Sequence, residues 1–216
     1  AEIAETTASI IRVVIEDTDF CTRYVARVIR GVTVGSSPMW LRARLIACGQ
    51  RPINNVVDIT NFVMLETGQP QHAFDLRSFD SGEVVMKRAH KGETFVTLDN
   101  VSRSLDERAL MITNGREYLA VGGVMGGMGS AITNDTRDVL LETARFNPAL
   151  LRASRKALGL VTDASMRFER GVDPNGTLHA AARASQLLAQ VCGGQVLAGA
   201  VDNYSAPIHP VEIDLR

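Results

Sequence analysis

Hydrophobic and polar residues alternate in two runs between residues 10 and 34, IIRVVI and FCTRYVARVIRGVTV, split by the polar EDTD. This pattern predicts two strands joined by a polar turn. Ser37-Pro38 then offers a helix cap and a first-turn proline, and MWLRARLIACG runs at helical spacing to Gly49. Arg51-Pro52 opens a second helical stretch, INNVVDITNFVMLETG, which stops near Gly68 and is followed by a proline-bearing loop from Gln69 to Asp75. From Gly82 to about Ala144 the texture changes to short strands: GEVVMKRA, ETFVTLD, VSRSL, ALMITN, EYLAVGG and DVLLETA. Turns between them fall at His90-Lys91-Gly92, Asp99-Asn100 and Asn114-Gly115. Asn147-Pro148 restarts helix as far as Gly159, LVTDASMRFERGVDP reads as a loop, and Gly176 to Cys192 reads as an alanine-rich helix. Strands near VLAGAVDNY and VEIDL finish the chain.

A helical lead (about 37–68), a sheet region (about 82–146), then helices and final strands (147–216) make the class α+β. The expectation is a single module with a mainly antiparallel sheet core and flanking helices. At 216 residues, 45% hydrophobic and 22% charged, the chain can bury one sizeable core. No apolar run approaches bilayer length, and AEIAETTASI lacks the flank and core of a signal peptide, so a cytoplasmic location is expected, with no membrane partner. Cys21, Cys48 and Cys192 are odd in number and widely spaced, which suits reduced thiols. His72, His90, His179 and His209 show no ligand spacing, so neither metal nor cofactor is expected. The absence of an initiator methionine and of a closing element suggests a module from a longer chain.

Candidate chemistry begins with Glu142 in VLLETARF. Strand alternation puts it on one face with Leu140 and Ala144, so the carboxylate lies either at a wet rim, paired with a residue such as Arg145, or in a pocket. The glycine cluster VGGVMGGMG (121–129) is neither a P-loop, because Met128 stands where lysine belongs, nor a dinucleotide fingerprint. It reads as a glycine-lined bend, either tight packing or a place where backbone approaches a ligand, and the short link SAITNDTRD would let its strand lie beside that of Glu142. His72, in its loop, is a structural hydrogen bonder or a group that orients water. Thr162-Asp163-Ala164-Ser165 is a capping turn or a small-residue pocket wall beside Arg167 and Arg170. Net charge is only -1, so a nucleic-acid partner does not follow from it. Twenty of the 23 basic residues are arginine, which suits phosphate but equally a GC-rich genome.

Taken together, RPINNVVDITNF (51–62), GQPQHAFD (68–75), VGGVMGG (121–127), LLETARF (140–146) and LVTDASMRFERGVDP (160–174) resemble the editing module in the β chain of bacterial-type phenylalanyl-tRNA synthetase. SPMWLRARL (37–45) matches what precedes these motifs in that family. The resemblance implies hydrolysis of tyrosine wrongly esterified to phenylalanine tRNA, with the synthetase α chain and the remaining β-chain domains as partners. It implies that Glu142 and Gly126 read the tyrosine hydroxyl, that Thr162 and Ala164 lie along the pocket wall, and that Arg51 and His72 stand near the tRNA 3′ end and the reacting water, with Thr162 in the same network. Nothing resembles an ATP-binding catalytic core, so tRNA charging by this chain is not expected. A docking or scaffolding module that binds tRNA through Arg152, Arg155, Arg167 and Arg170 without hydrolysis is the alternative. An amino-acid sensor for free tyrosine is a third.

Overall fold

The computed structural model describes residues 2–205, 207–208 and 212–214. The chain begins with β1 (Glu2–Thr6), α1 (Thr7–Ile10), β2 (Arg12–Ile15) and β3 (Cys21–Arg30), followed by α2 (Met39–Ala47) and α3 (Asn55–Thr67). Short strands come next: β4 (His72–Asp75), β5 (Glu83–Arg88), β6 (Thr94–Val96), β7 (Ser102–Ser104), β8 (Leu110–Thr113), β9 (Tyr118–Val121) and β10 (Met125–Gly126). The long β11 (Val139–Phe146) leads into α4 (Pro148–Ala157), α5 (Asp163–Phe168), α6 (Gly176–Cys192), β12 (Gln195–Ala198) and β13 (Val201–Asn203). The architecture is α+β, as the sequence pattern predicts. Among the described residues no helix is long and apolar enough to cross a membrane.

Two sheets carry the fold. The first runs β1-β12-β3-β11-β4, with β13 also on β3, and the second runs β10-β9-β8-β5-β2. Pairing is antiparallel except between β1 and β12 and between β2 and β5. β11 lies between β3 and β4 and is covered on both faces. Its Leu140, Ala144 and Phe146 enter a core shared with the second sheet, while Val139 and Leu141 enter a separate core with α3 and α6. Strand alternation sorts one sequence run into two apolar layers. Leu151 of α4 and Phe168 of α5 join the inter-sheet core.

Several sequence expectations change. The runs of residues 10–34 do form strands, but β2 pairs with β5 and β3 with β11, so they belong to different sheets rather than to one hairpin. The loop expected over Gln69–Asp75 contains β4, whose backbone pairs with β11. The loop expected over 160–174 contains α5, capped by Thr162. β1 carries no alternation strong enough to announce it and exists through its pairing with β12. The strand expected at VEIDL has Val211 and Leu215 outside the described residues, and the three residues between them form no strand.

The second helix also starts later than Arg51-Pro52 suggests. Asn54 caps it, its side chain accepting from Val57 N at 2.9 Å. Fully buried Asp58 accepts from Ser37 Oγ at 2.6 Å and from Ile53 N at 2.7 Å. Those bonds hold residues 51–53 outside the helix and leave Pro38, not Ser37, as the cap of α2. Asp58→Ala would strand a buried hydroxyl and a backbone N–H; the expected loss is about 2–4 kcal/mol, read as a lower urea midpoint with unchanged slope.

Candidate functional site

β4 is the edge strand of the first sheet, and its register with β11 sets His72 directly opposite Glu142. Both stand on the face that looks toward the second sheet, from which β10 brings Gly126. The three enclose a chamber of about 60 Å³, with Ala164 and Phe168 of α5 in its wall. The chamber adjoins a cleft of about 460 Å³ lined by α3 residues such as Val57 and Asn61, by Leu98, and by Thr162 and Ala164 at the start of α5. The glycine strand and the glutamate strand therefore face each other from opposite sheets; they do not lie side by side, as the short link between them suggests.

Glu142 is 5% exposed, and its Oε2 has no hydrogen-bond partner. The rim and ion-pair alternatives fall away, because Arg145 donates through Nη1 to Thr22 Oγ1 at 2.9 Å. Burial pushes the Glu142 carboxyl up to about 8. His72 packs edge-on against Phe74 at 4.4 Å between ring centroids, and desolvation pushes its imidazole down to about 4. Near neutral pH the free site thus holds a neutral imidazole across from a carboxyl that gives up its proton reluctantly.

Gly126 permits this closeness. A Cβ there would lie 2.7 Å from His72 Cε1 and 2.8 Å from Nε2, well inside contact distance. Gly123 turns the bend with φ +68, and a Cβ on it would meet Leu151 Cδ1 at 2.5 Å. The cluster is therefore both tight packing and chamber wall. Thr162 Oγ1 donates to Val124 O at 2.9 Å and accepts from Ser165 N at 3.1 Å, so this hydroxyl locks the start of α5 to the glycine bend and sets Ala164 in place.

The sequence-predicted basic residues divide. Arg51 is exposed on the segment leading to Ile53, which lines the cleft. Arg155 is mostly buried, its Nε 2.6 Å from Glu169 Oε2, and that bond is the first cause of the lowered Glu169 carboxyl. Arg167 donates to Asp163 O at 2.9 Å and to Asp163 Oδ1 at 3.1 Å. Arg170 is exposed, with Nη1 on Met166 O at 2.7 Å, and Arg152 is exposed on α4. Sequence reasoning missed Phe168, which lines the chamber from a helix read as loop, and Leu98, whose N donates to Gly126 O at 3.0 Å. An aromatic ahead of the Glu169-Arg170 pair was the available signal for Phe168; Leu98 carried none.

The two buried groups make stability pH-dependent in opposite directions. Glu142, raised above its unfolded value, contributes a loss as pH climbs from 4.5 to about 8, while His72, lowered, contributes a gain from about 4 to 6.5. Their slopes cancel between pH 4.5 and 6.5 and leave a decline from 6.5 to about 8. Glu142→Gln is expected to remove that decline, gaining about 2 kcal/mol on the unaltered chain between pH 6.5 and 8, measured as the difference in thermal midpoint at the two pH values. Gly126→Ala should drive the imidazole from its place, seen as altered His72 ring resonances with the rest of the spectrum kept.

A family model described as the B3/4 domain matches residues 20–193, which include Glu142, His72, Gly126 and α5. The phenylalanine-tRNA ligase beta subunit of Syntrophus aciditrophicus is 51% identical over 201 residues, covering 93% of this chain and 25% of that protein. The corresponding subunit of Halalkalibacterium halodurans is 52% identical over 206 residues, covering 95% of this chain and 26% of its own length. The chain thus spans about a quarter of the length of the curated relatives it matches. Among solved structures, an N-terminal fragment of the phenylalanyl-tRNA synthetase beta subunit from Pyrococcus horikoshii superposes with a TM-score of 0.60 at 12% identity, covering 94% of this chain and 56% of that one, a likeness of fold. With most of its length matched and the whole chamber inside the match, the chain belongs to the B3/4 domain family.

Proposed function

We propose that this chain is the part of a phenylalanine-tRNA ligase β subunit that hydrolyses tyrosine wrongly esterified to phenylalanine tRNA. One observation carries the reading: a buried carboxyl with an unpartnered oxygen lines a chamber walled by glycine, alanine and phenylalanine. A phenol ring brings apolar surface for the walls and a hydroxyl for Glu142. Phenylalanine brings only the ring and leaves the carboxyl unsatisfied, at about 1–3 kcal/mol. Such a site inverts the weakness of a synthetic pocket, which rejects an added hydroxyl by only about 10²-fold in a comparable synthetase. The identity of about 50% to the β subunits supports the same reading.

The ester carbonyl then lies toward the cleft. Water attacks the carbonyl carbon, the bond to the ribose oxygen breaks, and that oxygen leaves with the proton as the ribose hydroxyl. An aminoacyl ester is already activated, so placement of the water and the ester supplies much of the catalysis. His72, neutral between the chamber and the cleft, orients the water. The proton of Thr162 is committed to Val124 O, so its hydroxyl enters the network as an acceptor while holding the Ala164 wall. Arg51 meets the 3′ end, and exposed Arg152 and Arg170 meet the tRNA backbone, with Arg155 and Arg167 bracing the surface through Glu169 and Asp163. The α chain and the other β-chain domains complete tRNA placement.

Deacylation of tyrosyl-tRNA(Phe) and phenylalanyl-tRNA(Phe), corrected for spontaneous hydrolysis, tests the proposal. Tyrosine should leave faster, Glu142→Gln should reduce the preference about tenfold or more with less effect on hydrolysis itself, and Ala164→Trp should abolish release by filling the chamber. Loss of all hydrolysis in Glu142→Gln with unchanged preference would reassign Glu142 to the chemistry. tRNA binding without release of either amino acid would favour the docking role.

A further inference from the structure

Behind the chamber lies a second polar group that the reaction outlined above does not use. Tyr24 of β3 is fully buried, and its hydroxyl has no hydrogen-bond partner. In the pairing of β3 with β11, Ala26 stands opposite Glu142 and Ala144 opposite Tyr24. Glu142 and Tyr24 thus occupy one diagonal of a four-residue square on the same sheet face, at a spacing long side chains can bridge. The other diagonal holds two alanines, so no bulky group separates them. Two orphaned polar atoms in one buried layer would each cost about 1–3 kcal/mol, and a single bridging water satisfies both.

We infer that Tyr24 is a positioning residue for Glu142: one enclosed water between its hydroxyl and Glu142 Oε2, two atoms that do not bond each other directly, fixes the orientation in which the carboxyl meets a ligand hydroxyl. The inference deepens the editing proposal and rests on it for the identity of the ligand. The competing acceptor is buried Gln69, whose Nε2 donates to Ala144 O at 2.9 Å and whose Oε1 has no partner; a Tyr24 resonance that follows the Glu142 titration tells the two apart. Cys21, on the same strand, is placed with its Sγ 3.6 Å from Arg23 O. His72 stands opposite Glu142 on β4, and the chamber lining beyond it adds Gln71, whose Oε1 has no partner, to the non-titratable Ile112, Ala120 and Phe168. The Tyr24 phenol is held well above its usual range by burial first and then by the charge of Glu142, which places the two groups within electrostatic reach. A carboxyl held by one oxygen cannot swing to a second acceptor geometry, so the bond acts on which hydroxyl is accepted rather than on ester cleavage.

Tyr24→Phe removes one oxygen and keeps the ring, so a packing role is preserved. Following the Glu142 side-chain carboxyl carbon by NMR as pH is raised, the variant should titrate about one unit higher than the unaltered chain, because a donor to the carboxylate has gone. In the unaltered chain the Tyr24 Cζ resonance should move with the same midpoint as Glu142, a reading that requires no variant. In deacylation, Tyr24→Phe should narrow the tyrosine-over-phenylalanine ratio of kcat/KM several-fold, with the chain still folded and its thermal midpoint lowered by about a few degrees. An unchanged Glu142 titration in the variant, or a Tyr24 Cζ resonance indifferent to it, overturns the assignment. Failure of the unaltered chain to prefer tyrosine would instead sink the editing reading, and the titrations would still decide whether Tyr24 holds Glu142.

Discussion

A carboxyl group kept without a charged partner between two β-sheets is the constraint on which this structure turns. Glu142 occupies a central strand position where either neighbour, Leu140 or Ala144, would be at home, and burial there makes its ionisation costly. No charged neighbour relieves that cost. The nearest arginine on the strand is turned to Thr22, and the imidazole opposite is itself desolvated and neutral. A fold that keeps such a group holds an unspent hydrogen-bonding capacity aimed at whatever enters the chamber.

The scaffold fits this purpose at each level. Two cores on either face of β11 fix the strand, so Glu142 cannot slip in register without exchanging both apolar layers. β4, short and at the sheet edge, brings His72 to the carboxyl and leaves the cleft open beside it. Glycine at 126 lets the opposite sheet approach the imidazole closely, and Thr162 fastens the small-residue wall of α5 to the glycine bend. The polar atoms in these joints are largely consumed by the fold, which leaves Glu142 Oε2 and Gln71 Oε1 as the unpartnered acceptors of the chamber lining.

The arginines show how a compositional signal divides once the chain is folded. Arg155 and Arg167 bind acidic partners within the same surface; Arg170 is exposed with its Nη1 3.8 Å from Glu169 Oε1, and Arg152 is exposed on α4. The buried Arg155–Glu169 pair is geometry for the protein rather than charge for a ligand, while the half-exposed Arg167–Asp163 pair is screened by solvent. Only the exposed members add to an electrostatic footprint.

Much of this was legible in the residue order. Asn147-Pro148 started α4, Gly68 and Gly193 lay just past the ends of α3 and α6, and strands β5 to β9 and β11 appeared where alternating runs met turn dipeptides, while β10 lay hidden in the glycine bend. Those features are local, because caps, prolines and turns act within a few residues. The motifs carrying Glu142, His72, Gly126 and Ala164 were likewise recognisable as candidates. The sequence by itself therefore determined where most elements begin and end, the α+β class and the residues worth watching. Tertiary structure alone decided that His72–Asp75 pairs as an edge strand, that β2 and β3 part into different sheets, that Glu142 faces the glycines across a cavity rather than along a strand, and which arginines stay exposed. Each of these depends on groups brought together from distant parts of the chain, whose pairing and desolvation have no local signature.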